Sequence, residues 1–465
     1  MGIAPVLSGR GWCVQSNRRA LPIGLQNRNF MRYRKHYVAL LLFSALVGLT
    51  QCKKNADKTP SEIPPDPKTV AEGKEIFRHD TFGDEDFWSG LLHIDKAIAG
   101  SANGGYGSGV SPKTALAVGL KVDAEALPKE VVAAIQSGTI DLDDPKTTLA
   151  LLKLNAVVGV KGTFNDDGSM KTIGITCAAC HSTVDDSFAP GIGKRLDGWP
   201  NRDLNVGAIV SLTNNAKPIA DMLHVNEPTL RTVLSSWGPG KFAAVLFMDG
   251  KAVTPEGKMA ANMIPAAFGL KDVALTTYTG WGDISYWNAF VANLEMHGKG
   301  TFVDPRLNDA QKYPIAVENG FGNTHNTPDL ITSKLLPLKI YQHSLNAPKP
   351  PAGSFDADAA IRGKVLFEGK AKCASCHATE LYKNPATLLH TADEIGIDDF
   401  EAKRSPTGKY RTPPLSGLFA RTKNGLYHDG RFANIDAVVE HYNGALKLNL
   451  SATEKKEITE YLKSL

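Results

Sequence analysis

Two pentapeptides in this chain have types and spacing that could do chemistry: Cys177-Ala-Ala-Cys180-His181 and Cys373-Ala-Ser-Cys376-His377. Two thiols three positions apart can add across the two vinyl groups of one haem, and the histidine that follows swings its imidazole under the iron. One rival reading is a thioredoxin-like redox pair, which has no need of the following histidine. The other is half of a zinc site, which needs further cysteine or paired histidine nearby, and no further cysteine lies in the body of the chain. The spacing therefore predicts two covalently attached haem c groups. Cys177, Cys180, Cys373 and Cys376 would hold them, with His181 and His377 as proximal iron ligands.

Distal ligands divide electron carriers from enzymes, because an iron with two protein ligands mainly passes electrons and an open one binds peroxide or dioxygen. No methionine follows Met296. The second module therefore has no His/Met pair of its own, and its candidates are His390, His428, His441 and Tyr442. On a helix near 434–443, Ile435, Val438, Val439 and Tyr442 share one face, with His441 about 100° away. Tyr442 is thus the inward candidate distal ligand, the alternative being plain core packing. For the first haem the candidates are Met259, Met263, Met296 and His297, with Met259 and Met263 one turn apart if that stretch is helical. Glu295 is a candidate acid/base group of the kind a peroxidase needs to move the peroxide proton; the alternative is a solvated helix face.

The elements around these motifs repeat. Gly73-Lys-Glu-Ile-Phe77 matches Gly363-Lys-Val-Leu-Phe367, and Tyr341-Gln-His-Ser-Leu345 matches Tyr461-Leu-Lys-Ser-Leu465. Each pair of marks brackets one haem motif, as the leading and closing helices of a small cytochrome c would. The expected fold is mainly α: two cytochrome c-like haem domains, the first enlarged by long insertions with a little β. The expected divisions are an extension and signal segment (1–51), a tether (52–68), the enlarged domain (69–346), a linker (347–354) and the second domain (355–465). Within the enlarged domain we expect a short helix near 128–137, a helix begun by Asp144-Pro145, and a hairpin around Asn165-Asp-Asp-Gly168. Ser451-Ala-Thr-Glu454 reads as a capping box for the last helix. Trp199, Trp237, Trp281 and Trp287 read as core, with electron relay or a pocket wall as the alternative.

These modules resemble the bacterial diheme cytochrome c peroxidase superfamily. Arg411-Thr-Pro-Pro-Leu415 is similar to that group's TPxL turn, and Tyr427-His-Asp-Gly-Arg-Phe432 to its HDG segment. Thr81-Phe-Gly-Asp84, Leu196-Asp-Gly-Trp199 and Trp237-Gly-Pro-Gly240 resemble its large, poorly characterised branch. The group also includes rubber-cleaving oxygenases and a tryptophylquinone-forming enzyme, so the fold leaves the reaction open. The resemblance implies a precedent for a tyrosine axial ligand. Two functions follow as expectations. One is electron transfer through two haems. The other is a haem-dependent peroxidase or oxygenase, with the first haem as active centre and the second as electron feeder.

Arg32, Arg34 and Lys35 precede the apolar run Val38–Leu49, which resembles an export signal. Cys52 then reads as a lipidation site, although Gln51 departs from the small residue usual before it. An uncleaved helical anchor is the alternative, and either Met1 or Met31 can be the start. Residues 1–51 hold seven basic residues and no acidic one. Without them, 45 basic residues face 48 acidic ones. That balance gives no support to nucleic-acid binding. The expected setting is the periplasmic side of a bacterial membrane, with redox donor and acceptor proteins or small molecules as partners.

Overall fold

The computed structural model describes residues 66–465. The signal-like segment, Cys52 and nearly all of the tether lie outside them. Helix α1 (Pro67–His79) starts where Asp66 accepts a hydrogen bond from the Thr69 amide and proline takes the first turn. Next come α2 (Lys129–Gln136) and α3 (Pro145–Lys153), the latter capped by the Asp144 side chain as expected. Strands β1 (Val160–Phe164) and β2 (Met170–Ile175) form the antiparallel hairpin. The chain passes from β2 directly into the short helix α4 (Ala178–His181), which carries the first haem motif.

Beyond it lie α5 (Glu227–Trp237) and a two-residue ladder of β3 (Lys241–Phe242) with β4 (Asn262–Met263). This corrects one expectation. Met259 and Met263 share no helical face, because the chain reaching β4 is extended and its amides pair across the ladder and with other segments. Helix α6 (Ile284–Phe290) continues into a π-helical turn, Val291–Glu295, and α7 (Leu335–Ser344) closes the first half. The second half contains α8 (Ala357–Glu368), α9 (Ala374–His377) with the second motif, α10 (Ile435–Ala445) and α11 (Ala452–Lys463). The molecule is mainly helical, and its described strands form only two-stranded ladders.

The repeat seen in the sequence is a repeat of packing. Helix α1 lies against α7 and α8 against α11, each pair in contact through a glycine. A Cβ on Gly73 would sit 2.0 Å from the Pro337 carbonyl oxygen, and one on Gly363 would sit 1.9 Å from that of Glu457. Above each glycine the aromatic marks meet edge to face, Phe77 with Tyr341 at 5.5 Å and Phe367 with Tyr461 at 5.1 Å between ring centres. Separate apolar clusters fill the two helix pairs, and a larger one lies under the inserted elements between Trp88 and Ala261. Among the described residues, no helix is long and apolar enough to cross a membrane.

Candidate haem sites

Each motif opens onto its own cavity. Cys177, Cys180 and His181 line the first; Cys373, Cys376 and His377 line the second. All four thiols are unpaired. Burial holds the first pair as thiols, pushed up to about 12. Burial also pushes both histidines down to about 4, so the imidazoles are neutral and can donate a lone pair.

Ring orientation comes from a proline in each half. His181 Nδ1 donates to the Pro265 carbonyl at 3.0 Å, which leaves Nε2 free as the ligating nitrogen. Pro413 stands at the equivalent place beside His377, whose Nδ1 lies 3.4 Å from the Tyr382 hydroxyl. Four residues beyond each proline stands a glycine with positive φ, Gly269 and Gly417. Their amides donate to the carbonyls of Leu345 and Leu465, at 2.8 and 2.7 Å. The segments Ile264-Pro-Ala-Ala-Phe-Gly-Leu270 and Thr412-Pro-Pro-Leu-Ser-Gly-Leu418 are thus equivalent. Two free thiols, an imidazole with one nitrogen committed, and an apolar crevice fit a covalently held haem in both halves.

The facing wall of each crevice is also equivalent. Side-chain caps start both helices, Asp283 for α6 and Asn434 for α10. Counting from these caps pairs Ile284 with Ile435, Trp287 with Val438, Asn288 with Val439, Val291 with Tyr442, and Glu295 with Leu446. Every member of these pairs lines its own cavity. The two walls therefore present different chemistry at the same places. The second offers the Tyr442 phenol, on the face expected for it. The first offers the valine Val291 there and, at the end of its π-helical turn, the Glu295 carboxyl. Both Glu295 oxygens are buried without a hydrogen-bond partner, and burial raises its pKa well above the usual carboxylate range.

The remaining candidates divide as follows. His441 faces away from the cavity, with Nε2 bonded to the Ile395 carbonyl at 2.8 Å. His428 lines the second cavity but stacks on Tyr410, while its carbonyl accepts from the Met263 amide. His390 also lines the second cavity, with Nε2 unpartnered. Met263, Met296 and His297 line the first cavity, and His297 stacks on Phe87 with ring centres 3.7 Å apart. Met259 stands among the apolar side chains under the inserted elements, beside Ser236. Of the four tryptophans, Trp281 and Trp287 stack at 5.2 Å against the first cavity, Trp237 is buried in the large cluster, and Trp199 sits between Phe268 and Phe419. Pro265, the equivalence of its segment to the Arg411–Leu415 turn, and the pairing of Val291 with Tyr442 were not read from the sequence. Aligning the halves on Pro–Gly spacing would have found them.

No family model matches the chain. It is similar to the methylamine utilization protein MauG of Methylorubrum extorquens, 24% identical over 221 residues, which is 40% of this chain and 61% of that protein. The chain thus matches about three fifths of its relative's length. The match is in keeping with the resemblance that the two haem motifs carry. Among solved structures, hydrazine synthase of Kuenenia stuttgartiensis aligns over 46% of this chain and 76% of its own, with 18% identity and a TM-score of 0.25.

Proposed function

We propose that this chain is a haem-dependent oxidoreductase of the peroxidase type, with a covalent haem in each half and the reactive one in the first. The observation that carries the reading is the exchange of Tyr442 for Val291 at equivalent places. Valine cannot ligate iron, so the first crevice offers no ligand at that place, and an unpartnered carboxyl stands beside it. A haem held there would supply the redox-active iron that peroxide reduction needs. In the balanced reaction, hydrogen peroxide, two protons and two electrons give two water molecules. Glu295, held protonated by burial, gives a proton to the departing oxygen and regains one from water. Val291 and Trp287 keep bulk water off the same face.

Tyr442 closes the second crevice, which fits that half to relaying electrons from a redox donor. Export, anchoring through Cys52 or a helix, and the donor itself belong to the same proposal. Their support is the signal-like segment and the haem attachment motifs.

Room-temperature spectra of the oxidised holoprotein test the reading. One high-spin and one low-spin haem, with the high-spin one consuming peroxide, are expected. Glu295→Gln should slow that step by about 10²- to 10⁴-fold, the usual contribution of general acid catalysis. Two low-spin haems indifferent to peroxide would leave an electron carrier instead.

A further inference from the structure

Elsewhere in the described fold, buried arginines have acidic partners. Arg404 is held by Asp249 and Glu401, and Arg195 by Asp197. Three arginines that line the second cavity have none: Arg202, which is buried, and Arg411 and Arg421, which are half-buried. None of them forms an ion pair with a described carboxylate. What they touch is neutral. Arg411 Nε donates to the Thr277 carbonyl at 2.5 Å, and Arg421 Nη2 to the carbonyls of Pro414 and Ser416 at 2.7 and 3.2 Å. Arg202 is buried, yet its Nε and Nη1 have no partner, and neither has Arg421 Nε.

Unpaired cations crowded into one crevice are costly unless an anion joins them. Burial and mutual repulsion already push Arg411 and Arg421 down to about 10. The missing partner must therefore be anionic, oxygen-bearing, and seated in the same space as Cys373, Cys376 and His377.

We infer that Arg202, Arg411 and Arg421 form a clamp for the two carboxylates of the second haem. This rests on reading the second cavity as a haem crevice. Arg202 comes from the first half, in the loop after the first haem motif. Its main chain is fixed against the second half, where Asn424 Nδ2 donates to its carbonyl at 2.6 Å. One half thus supplies a charge that holds the cofactor of the other. Arg411 also borders the first cavity, so the clamp stands between the two crevices.

The test is potentiometric titration of the full holoprotein, with the first haem as internal reference. Arg202 and Arg421 line only the second cavity, so Arg202→Gln and Arg421→Gln are the variants to use. Losing a nearby cation disfavours the added electron. Each variant should shift the ferric-to-ferrous ratio of the second haem at fixed poise toward ferric by about tenfold, or about 59 mV for one electron. The first haem should move far less. Arg202→Lys keeps the charge and should recover most of the shift, which also covers a Gln variant that loads haem poorly. A ratio within twofold of wild type for Arg202→Gln would overturn the cross-half clamp. A wild-type potential that moves with added phosphate at constant ionic strength would show a free anion in the cluster, and would overturn it too. A protein whose intact mass shows no second haem would refute the crevice reading itself, an outcome separate from both.

Discussion

Glu295 brings to the first cavity a buried carboxyl that the second wall lacks. Its unpartnered oxygens make a prediction that needs no substrate. With its pKa raised in the fold, the native chain keeps a proton that the unfolded chain releases above its ordinary value of about 4.3. The native state then binds more protons, so stability falls as pH rises, with a slope of up to about 1.4 kcal/mol per pH unit from this group alone. Glu295→Gln removes the slope. Urea midpoints measured from pH 5 to 8 should show the variant gaining on wild type as pH increases. A constant difference would mean that the carboxyl titrates as an exposed one. Val291 needs no such device: an aliphatic side chain in the place of a phenol has no lone pair to offer a metal.

At the scale of elements, two helix pairs set the geometry, and glycine sets the helix pairs. Alanine normally improves a helix over glycine by about 1 kcal/mol. At Gly73 and Gly363 the added methyl would meet main-chain oxygen, so each substitution should instead destabilise by about 1–3 kcal/mol through overpacking. Gly444 on α10 has nothing within 4 Å of its would-be Cβ, and Gly444→Ala should be neutral or stabilising in the same denaturation assay. These contacts explain what was legible in the sequence. A glycine under an aromatic is dictated by close approach, so Gly73/Phe77 and Gly363/Phe367 kept their identities. The two Cys-x-x-Cys-His motifs are legible for the same reason, since the thioether chemistry expected of them tolerates no other residues. The orienting segments were harder to see because they reuse main chain: a proline carbonyl and a positive-φ glycine constrain few neighbouring side chains. Helices α6 and α10 share little more than Ile284 and Ile435, because their inward side chains do different work. The methionine stretch misled because spacing of four is helical only if the backbone is, and there the amides pair across a ladder. The π-helical turn that swings Glu295 inward left no mark in residue types.

At the scale of the whole molecule, a buried charge network ties the halves together. Arg404 donates to Asp249 from Nε and Nη2, at 2.8 and 3.0 Å, and to Glu401 from Nη1 at 3.1 Å. Glu401 also accepts from Asn262 at 2.6 Å, and Tyr313 donates to the Arg404 carbonyl at 2.8 Å. Arg404→Met would strand two buried carboxylates and should cost about 3–5 kcal/mol in chemical denaturation. A change under 1 kcal/mol would show that water reaches the site. The equivalence of α6 and α10 has a consequence for engineering. Nature has cast one socket twice and fitted it with two different plugs, at 291/295 and 442/446. The sockets are not interchangeable at both places: Tyr442→Val alone would remove the phenol from the second wall, whereas Leu446→Glu would leave a carboxyl in solvent, because α10 has no π-helical turn to carry it inward and Leu446 is exposed. A single turn of backbone thus limits how far one half can be recast as the other.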